Sequence, residues 1–325
     1  MITALGFGVW CLVFGALRLW QWYAFWPKYS HLPKAKRPKH QTPNTKHSFA
    51  LCFLVLLCVQ ASAQSPWTRG KAGFYAQAAW QTIPRYPSIY DKNAMDGKRV
   101  LEREITENAF QMYGEYGITP KTTVWMAIPY RFVRSGGVVG NSPTQLQAGA
   151  LRGFGNISVA VRQNFIDGNL AFSGQIRIDL PRNKESQLTG LSTGYDALTL
   201  YSTLSVGQGY GKMYWYAYAG WGVRGIIGNH FIHAGSEAGV KFRKHWFILF
   251  SDYLQNIGSE TYFVSPANIK TGLFLPDQSY WAFGGKGILA FSRFFGGILT
   301  VAGAFDGDLV PIQPAYSAGL YFKWD

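Results

Sequence analysis

Residues 169–181 read NLAFSGQIRIDLP, with Leu170, Phe172, Ile176, Ile178 and Leu180 on one parity and Ser173, Gln175, Arg177 and Asp179 on the other. A strand sends successive side chains to opposite faces, so this stretch describes a ribbon with one apolar side and one side carrying charges of both signs. A soluble sheet with one wet face alternates in the same way. The two cases differ in what covers the apolar face, a second protein layer or lipid, and the rest of the chain decides between them.

The alternation recurs along the chain, separated by turn residues, with no sustained helical period. Twelve strands are predicted, beginning near Ala72, Arg103, Thr122, Gly155, Leu170, Tyr195, Lys212, Ile232, His245, Gln278, Gly296 and Ala315. Their connections alternate in length. Residues 117–121, 167–168, 207–211, 243–245 and 293–296 make tight links, whereas 84–102, 134–154, 182–194, 226–231, 258–277 and 307–314 make long ones. An even strand number with short turns at one end and long loops at the other is the pattern of an outer-membrane barrel, and a soluble sandwich has no reason to show it. The expected fold is therefore all-β, a single antiparallel transmembrane barrel of about twelve strands in the bacterial outer membrane. Both termini and the short turns face the periplasm, and the lipid of that membrane is its first partner.

Aromatic residues make up 17% of the chain. Trp80, Trp125, Trp215, Trp221, Trp246, Trp281 and Trp324 fall in or at the ends of strands, where a membrane barrel places an interfacial girdle. The closing segment AYSAGLYFKWD sets Tyr316, Ala318, Leu320, Phe322 and Trp324 on one face and Ser317, Gly319, Tyr321 and Lys323 on the other.

Residues 1–63 read as a leader and 64–325 as the barrel. The apolar run from Phe49 to Val59 follows a basic stretch and ends in Ala61-Ser62-Ala63, a small-x-small cleavage pattern that makes Gln64 the first mature residue. That run is too short to span a bilayer. The apolar stretch before it is expected to come from an over-extended gene start, with initiation near Leu32, since no methionine lies between Met1 and Met95. All three cysteines, Cys11, Cys52 and Cys58, precede the cut, so the mature chain needs no disulfide. Seven of the 31 basic residues also precede it, which leaves 24 against 17 acidic residues and lowers the formal net charge from +14 to +7. The densest basic cluster leaves with the leader, and with it most of the case for a nucleic-acid partner.

The segments SPWTRGKAGFYAQAAW (65–80), FQMYGEYGITPKTTVWMAIPYRF (110–132), GFGNISVAVRQNF (153–165) and GLSTGYDALTLYSTLSVG (190–207) resemble successive strands of the outer-membrane barrels of the meta-pathway of phenol degradation, which are loosely akin to fatty-acid transporters of the FadL type. The Ala-Ser-Ala-Gln cut site resembles Bacteroidota signal peptides. The resemblance covers most of the mature chain through strand and turn patterns, and it implies a porin-like transport fold more than a substrate. The chain departs from fatty-acid transporters in having twelve strands rather than fourteen. About eight residues precede the first strand, so no N-terminal hatch is expected in the lumen.

Catalytic and metal chemistry is sparse, and neither an enzyme nor a cofactor is expected. His230, His233 and His245 are the histidines of the mature chain, and His230 and His233 read as rim residues without a nearby carboxylate, a poor metal site. His233 and Ser236 stand three positions apart on a strand and point to opposite faces, so they form no hydrolase dyad unless a bulge intervenes. What remains is a set of residues on the inferred lumen face: Glu107, Gln111 and Glu115; Arg162; Gln175, Arg177 and Asp179; Glu237 and Lys241; Lys286; and the tyrosines Tyr201, Tyr214, Tyr216 and Tyr218. A lipid-facing Arg or Lys at the bilayer midplane costs about 2–4 kcal/mol, which turns these charges inward. Either they neutralise one another in a packed interior or they line an aqueous path beside a tyrosine ladder. Passage of a small hydrophobic or amphipathic solute is the leading expectation. A structural or assembly-partner barrel in an outer-membrane complex is the alternative, and a lipid-modifying barrel enzyme is a third.

Two finer expectations follow. IDGN (166–169) reads as a two-residue turn with Asp167 and Gly168 central, which pairs Ile166 with Asn169 and sets Ser158 opposite Arg177 and Asn156 opposite Asp179. Tyr262 and Phe263 are costly to expose, so the 258–277 loop is expected to fold inward.

Overall fold

A computed structural model describes residues 65–324, apart from 139–145, 226–228, 258–270, 272 and 276. The leader, the tip of the 134–154 loop and the segment with Tyr262 and Phe263 lie outside the described residues. The strands are β1 (Phe74–Tyr90), β2 (Lys98–Thr119), β3 (Thr122–Val138), β4 (Gly149–Phe154), β5 (Ile157–Ile166), β6 (Leu170–Leu180), β7 (Glu185–Ser186), β8 (Leu191–Ser192), β9 (Thr199–Tyr210), β10 (Met213–Arg224), β11 (Asn229–Phe242), β12 (His245–Asn256), β13 (Ser279–Ala290), β14 (Phe295–Asp308) and β15 (Ala315–Trp324).

Neighbours in sequence pair antiparallel around the wall, and β1 pairs with β15 from Phe74↔Trp324 to Thr82↔Tyr316, which closes the sheet. β4 and β5 both pair with β3 and are two halves of one wall position, while β7 and β8 form a separate hairpin. The result is a closed barrel of twelve strand positions, which leaves no sheet edge for lipid to face unpaired. The break between β4 and β5 has a local cause. Pro129 of β3 has no N–H to give to the ladder, the pairing shifts by one residue between Ala127↔Ser158 and Tyr130↔Phe154, and the Gly155 N–H donates to the Pro129 carbonyl at 2.9 Å.

The opening stretch forms β6. Its Ile176 and Ile178 are 59% and 42% exposed, whereas Ser173 and Gln175 are 1% and 6% exposed. The same inversion, apolar side chains outside and polar ones inside, holds on β15, where Leu320 and Phe322 stand out and Tyr321 is buried. Only an apolar surrounding makes such an arrangement favourable.

Five expectations need correction. The Asp167 turn takes three residues, Asp167–Gly168–Asn169, and a bulge lies between Asn164 and Ile166, so Ser158 stands opposite Asp179 and Ala160 opposite Arg177. The shift is by two residues, which keeps every side chain on its expected face. Segments 84–102 and 134–154 are largely strand rather than loop. β1, β2 and β3 run 17, 22 and 17 residues, well beyond the roughly 9–11 that cross a bilayer, because buried side chains at Tyr86, Ile89, Leu101, Ile105 and Val133 continue the inward face. Trp125 and Trp246 are buried inside the barrel rather than set in a girdle, whereas Trp80, Trp215, Trp221, Trp281 and Trp324 are exposed on the outer wall. The fourth correction concerns the lumen itself.

Candidate functional site

The chain before β1 enters the barrel. Arg69, 5% exposed, donates from Nε to Glu115 Oε2 at 2.7 Å, and its backbone N–H donates to Thr123 Oγ1 at 2.8 Å. The Trp67 carbonyl accepts from Arg162 at 2.9 Å, and the Pro66 carbonyl accepts from Asn164 Nδ2 at 3.2 Å. The Trp67 indole meets Tyr214 and Tyr216 edge-on, with centroids 5.8 and 6.1 Å apart. Residues 65–70 thus form a strap across the tight-turn end of the lumen, which corrects the expectation that no N-terminal hatch enters it. Six residues suffice because the strap spans one mouth and does not fill a domain-sized hatch. SPWTRG carried the available signal: an Arg and a Trp in a stretch without alternation.

The strap divides the lumen residues into groups. Glu115 is buried between Arg69 and Arg162, 3.9 Å from the latter, and accepts from Tyr113 OH at 2.6 Å. Arg162 also reaches Gln175 Oε1 at 3.3 Å, which accepts from Trp125 Nε1 at 2.7 Å. Tyr214, Tyr216 and Tyr218 follow one another at 6.4 Å intervals, the first two stacked and the third tilted, but the first two carry Trp67, so the ladder is covered at the strap end. Lys241 lies over the Trp246 ring at 5.9 Å. Farther along, Lys286 pairs with Glu237 at 3.0 Å and Arg177 with Asp179 at 3.1 Å, while Arg177 also lies over the Tyr201 ring at 4.7 Å. Gln111 donates to Gln81 at 2.7 Å, and Glu107 accepts from Tyr86 OH at 2.6 Å with Arg131 at 3.6 Å. Charges of opposite sign therefore sit side by side along the inner wall, and no single-sign ring forms among these residues.

A cavity of about 530 Å3 lies inside the wall, lined by Arg177, Asp179, Glu237 and Lys286 together with aromatic side chains of Tyr195, Phe231, Phe274 and Tyr280. A larger apolar furrow, about 1010 Å3, is lined chiefly by outward residues such as Trp80, Phe247, Leu249 and Leu299, and belongs to the lipid-facing surface. Arg224, on the cavity wall, stacks over the Tyr195 ring at 3.7 Å. His233 also lines the cavity. It belongs to β11 and not to a rim loop, and its Nε2 lies 2.6 Å from Asp252 Oδ1, so the expected absence of a nearby carboxylate is corrected too. Asp252 stands 19 residues away, and the tight turn at Arg243–Lys244 brings it diagonally across the hairpin. Ser236 is exposed on the outer wall, on the opposite face from His233.

The other end of the barrel is closed differently. Tyr86, Ile89, Leu101, Ile105, Val133, Leu191 and Leu273 form one buried apolar cluster, built where β1–β3 extend past the wall and β8 and residue 273 fold over them. Arg103 is buried beside it and donates to Ser135 Oγ at 3.3 Å and to the Gln147 carbonyl.

No protein-family model and no curated protein matches the chain. Among solved structures it is similar to an outer-membrane channel from Pseudomonas putida F1, with a TM-score of 0.58 at 10% identity over 82% of this chain and 100% of that one. Looser likenesses, each with a TM-score of 0.41, are to the CymD monoaromatic hydrocarbon channel (7% identity, 78% of this chain and 89% of that one) and to the KdgM porin in complex with disordered oligogalacturonate (4% identity, 78% and 99%). The first of these likenesses is one of fold. A closed antiparallel barrel of this fold, apolar outside and polar within, is a protein of the bacterial outer membrane.

Proposed function

We propose that the barrel is a passage for small hydrophobic or amphipathic solutes, with the inward residues from Gln111 to Lys286 as its lining and the strap as the closure of one mouth. The observation that carries this reading is the cavity of about 530 Å3, which falls in the range of about 300–1,000 Å3 typical of small-molecule sites. Its lining suits an amphipathic guest. Aromatic faces receive the apolar part, and the pairs Arg177–Asp179 and Lys286–Glu237 offer polar contacts without a net charge that would favour one ion.

The test is uptake into liposomes containing the purified protein. Water-soluble aromatic solutes should enter faster than sugars of equal size, and deletion of residues 65–70 should raise both rates. Liposomes equally tight with and without the strap would instead make the interior a packed plug and the protein a structural or assembly-partner barrel.

A further inference from the structure

We infer that Arg131 is the recognition residue of the central cavity for an anionic guest: it offers its guanidinium fork to a carboxylate carried on an aromatic or other apolar body. This rests on the passage reading above and gives its solute a charge.

The inference begins with donors that have no acceptor. Arg131 belongs to β3, on the inward parity it shares with the buried Trp125 and Val133, and it lines the cavity. A guanidinium carries five N–H donors and stays charged at any pH a protein meets. Among the described residues Arg131 makes no hydrogen bond. The carboxylate of its ion pair, Glu107 Oε2, stands 3.6 Å from Nη1, too far for one, and Nε is buried without a partner. Nη1 and Nη2 do not share that burial: the side chain is 25% exposed, and on an inward residue of a closed wall that exposure is to the lumen. The neighbours leave it reachable. Arg131 stands between Ala109 of β2 and Gly153 of β4, both too small to cover it, and a Cβ at Gly155 would come within 3.1 Å of its Nε.

The carboxylates around the cavity are in the opposite condition, each already supplied with donors. Asp179 has Arg177 at 3.1 Å, Glu237 has Lys286 at 3.0 Å and Tyr214 OH at 2.6 Å, Glu107 has Tyr86 OH at 2.6 Å, and Asp252 has Tyr280 OH at 3.1 Å with His233 Nε2 at 2.6 Å. The imbalance is therefore one of donors at Arg131, and a carboxylate matches a guanidinium fork in both charge and geometry. A place for the apolar body lies beside it. The guanidinium sits over the Phe274 ring, 4.7 Å from its centroid, and Phe274 meets Tyr195 edge-on at 5.5 Å, with Leu254 and Phe231 also on the cavity wall. An inorganic anion has nothing for these faces to receive, and a neutral aromatic solute has no charge to set against the fork.

The test compares benzoate with benzamide, which share a shape and differ in charge. Binding of each radiolabelled compound to the purified protein is measured by equilibrium dialysis at low salt in micelles of an uncharged detergent. Benzoate should bind about tenfold more tightly, the step expected where charge-assisted hydrogen bonds replace neutral ones. Arg131→Gln should bring the ratio to about one, and Arg131→Lys, which keeps the charge without the fork, should keep part of it. Arg134→Gln, on the outer face of the same strand, should leave it unchanged. A ratio of about one in the wild-type protein, which needs no variant to fold, overturns the inference, as does a ratio that survives Arg131→Gln. If liposomes admit aromatic solutes while the micelle ratio is about one, this inference falls and the passage reading stands. If they admit none while the ratio holds and depends on Arg131, the passage reading falls and Arg131 serves a binding site that does not conduct.

Discussion

The two ends of the barrel are closed by opposite chemistry. At the tight-turn end a six-residue strap is held by charges and backbone carbonyls: Arg69 on Glu115, Arg162 on the Trp67 carbonyl, Asn164 on the Pro66 carbonyl. At the other end seven apolar side chains pack into one cluster, five from the wall strands β1–β3 and two, Leu191 and Leu273, from segments folded over them. Apolar burial is non-directional and is lost only when the elements that supply it separate, so that end opens by unfolding its rim. Polar contacts to a strap can be exchanged for water one at a time, and none of the wall ladder pairs depends on them. The difference makes the strap a closure held by polar contacts that the wall ladder does not need, and the cluster part of the fold.

The largest effect that would sharpen this contrast is expected from Glu115→Ala. It leaves the buried Arg69 and Arg162 guanidiniums without their carboxylate, and removing one partner of a buried pair costs about 3–5 kcal/mol. Urea unfolding in micelles should show that loss, and trypsin should cut after Arg69, which the docked strap hides. A stable Glu115→Ala barrel with Arg69 still protected would mean that the strap is held by something other than its charges.

Leu101→Ala should come next. The side chain is 3% exposed within the apolar cluster, and truncations of this kind cost about 2–5 kcal/mol. Here the loss should appear in unfolding alone, with cleavage after Arg69 unchanged. Simultaneous release of the strap would show that the two ends are coupled through the wall, which would undo the contrast.

The same contrast explains what the sequence made legible. The outer wall could be read because lipid selects one parity on every strand, and the period of two survives an error in turn length. The turn at Asp167 is longer than expected by one residue, and the register moved by two, yet Arg177 and Asp179 stayed inside. The extension of β1 was hidden by Pro84 and Pro87, which normally end strands and here sit within it, and that of β3 by the turn-like Ser135-Gly136-Gly137. The strap left no periodic trace, because its partners lie 46 to 98 residues away in sequence. His233 and Asp252 were legible as residues but not as a pair, since their contact depends on the register across the Arg243–Lys244 turn.

The smallest effect concerns Trp67, which separates the two ways a strap can be held. Its ring makes edge contacts with Tyr214 and Tyr216, and aromatic pairs of this geometry add about 0.5–1.5 kcal/mol each beyond the area they bury. Trp67→Ala leaves the Arg69–Glu115 pair in place, so the strap should remain docked in most molecules and undock more often in the rest. Cleavage after Arg69 follows the open population when the strap redocks faster than trypsin cuts. A change of about 1.4 kcal/mol corresponds to tenfold in that population, and the cleavage rate should rise by about that factor while urea unfolding of the barrel barely moves. An unchanged rate would make the indole a passenger and leave the charges as the whole latch. An equal loss in the unfolding measurement would instead mean that Trp67 packs as core between Tyr214 and Tyr216, and that the strap belongs to the fold as firmly as the apolar cluster at the opposite end.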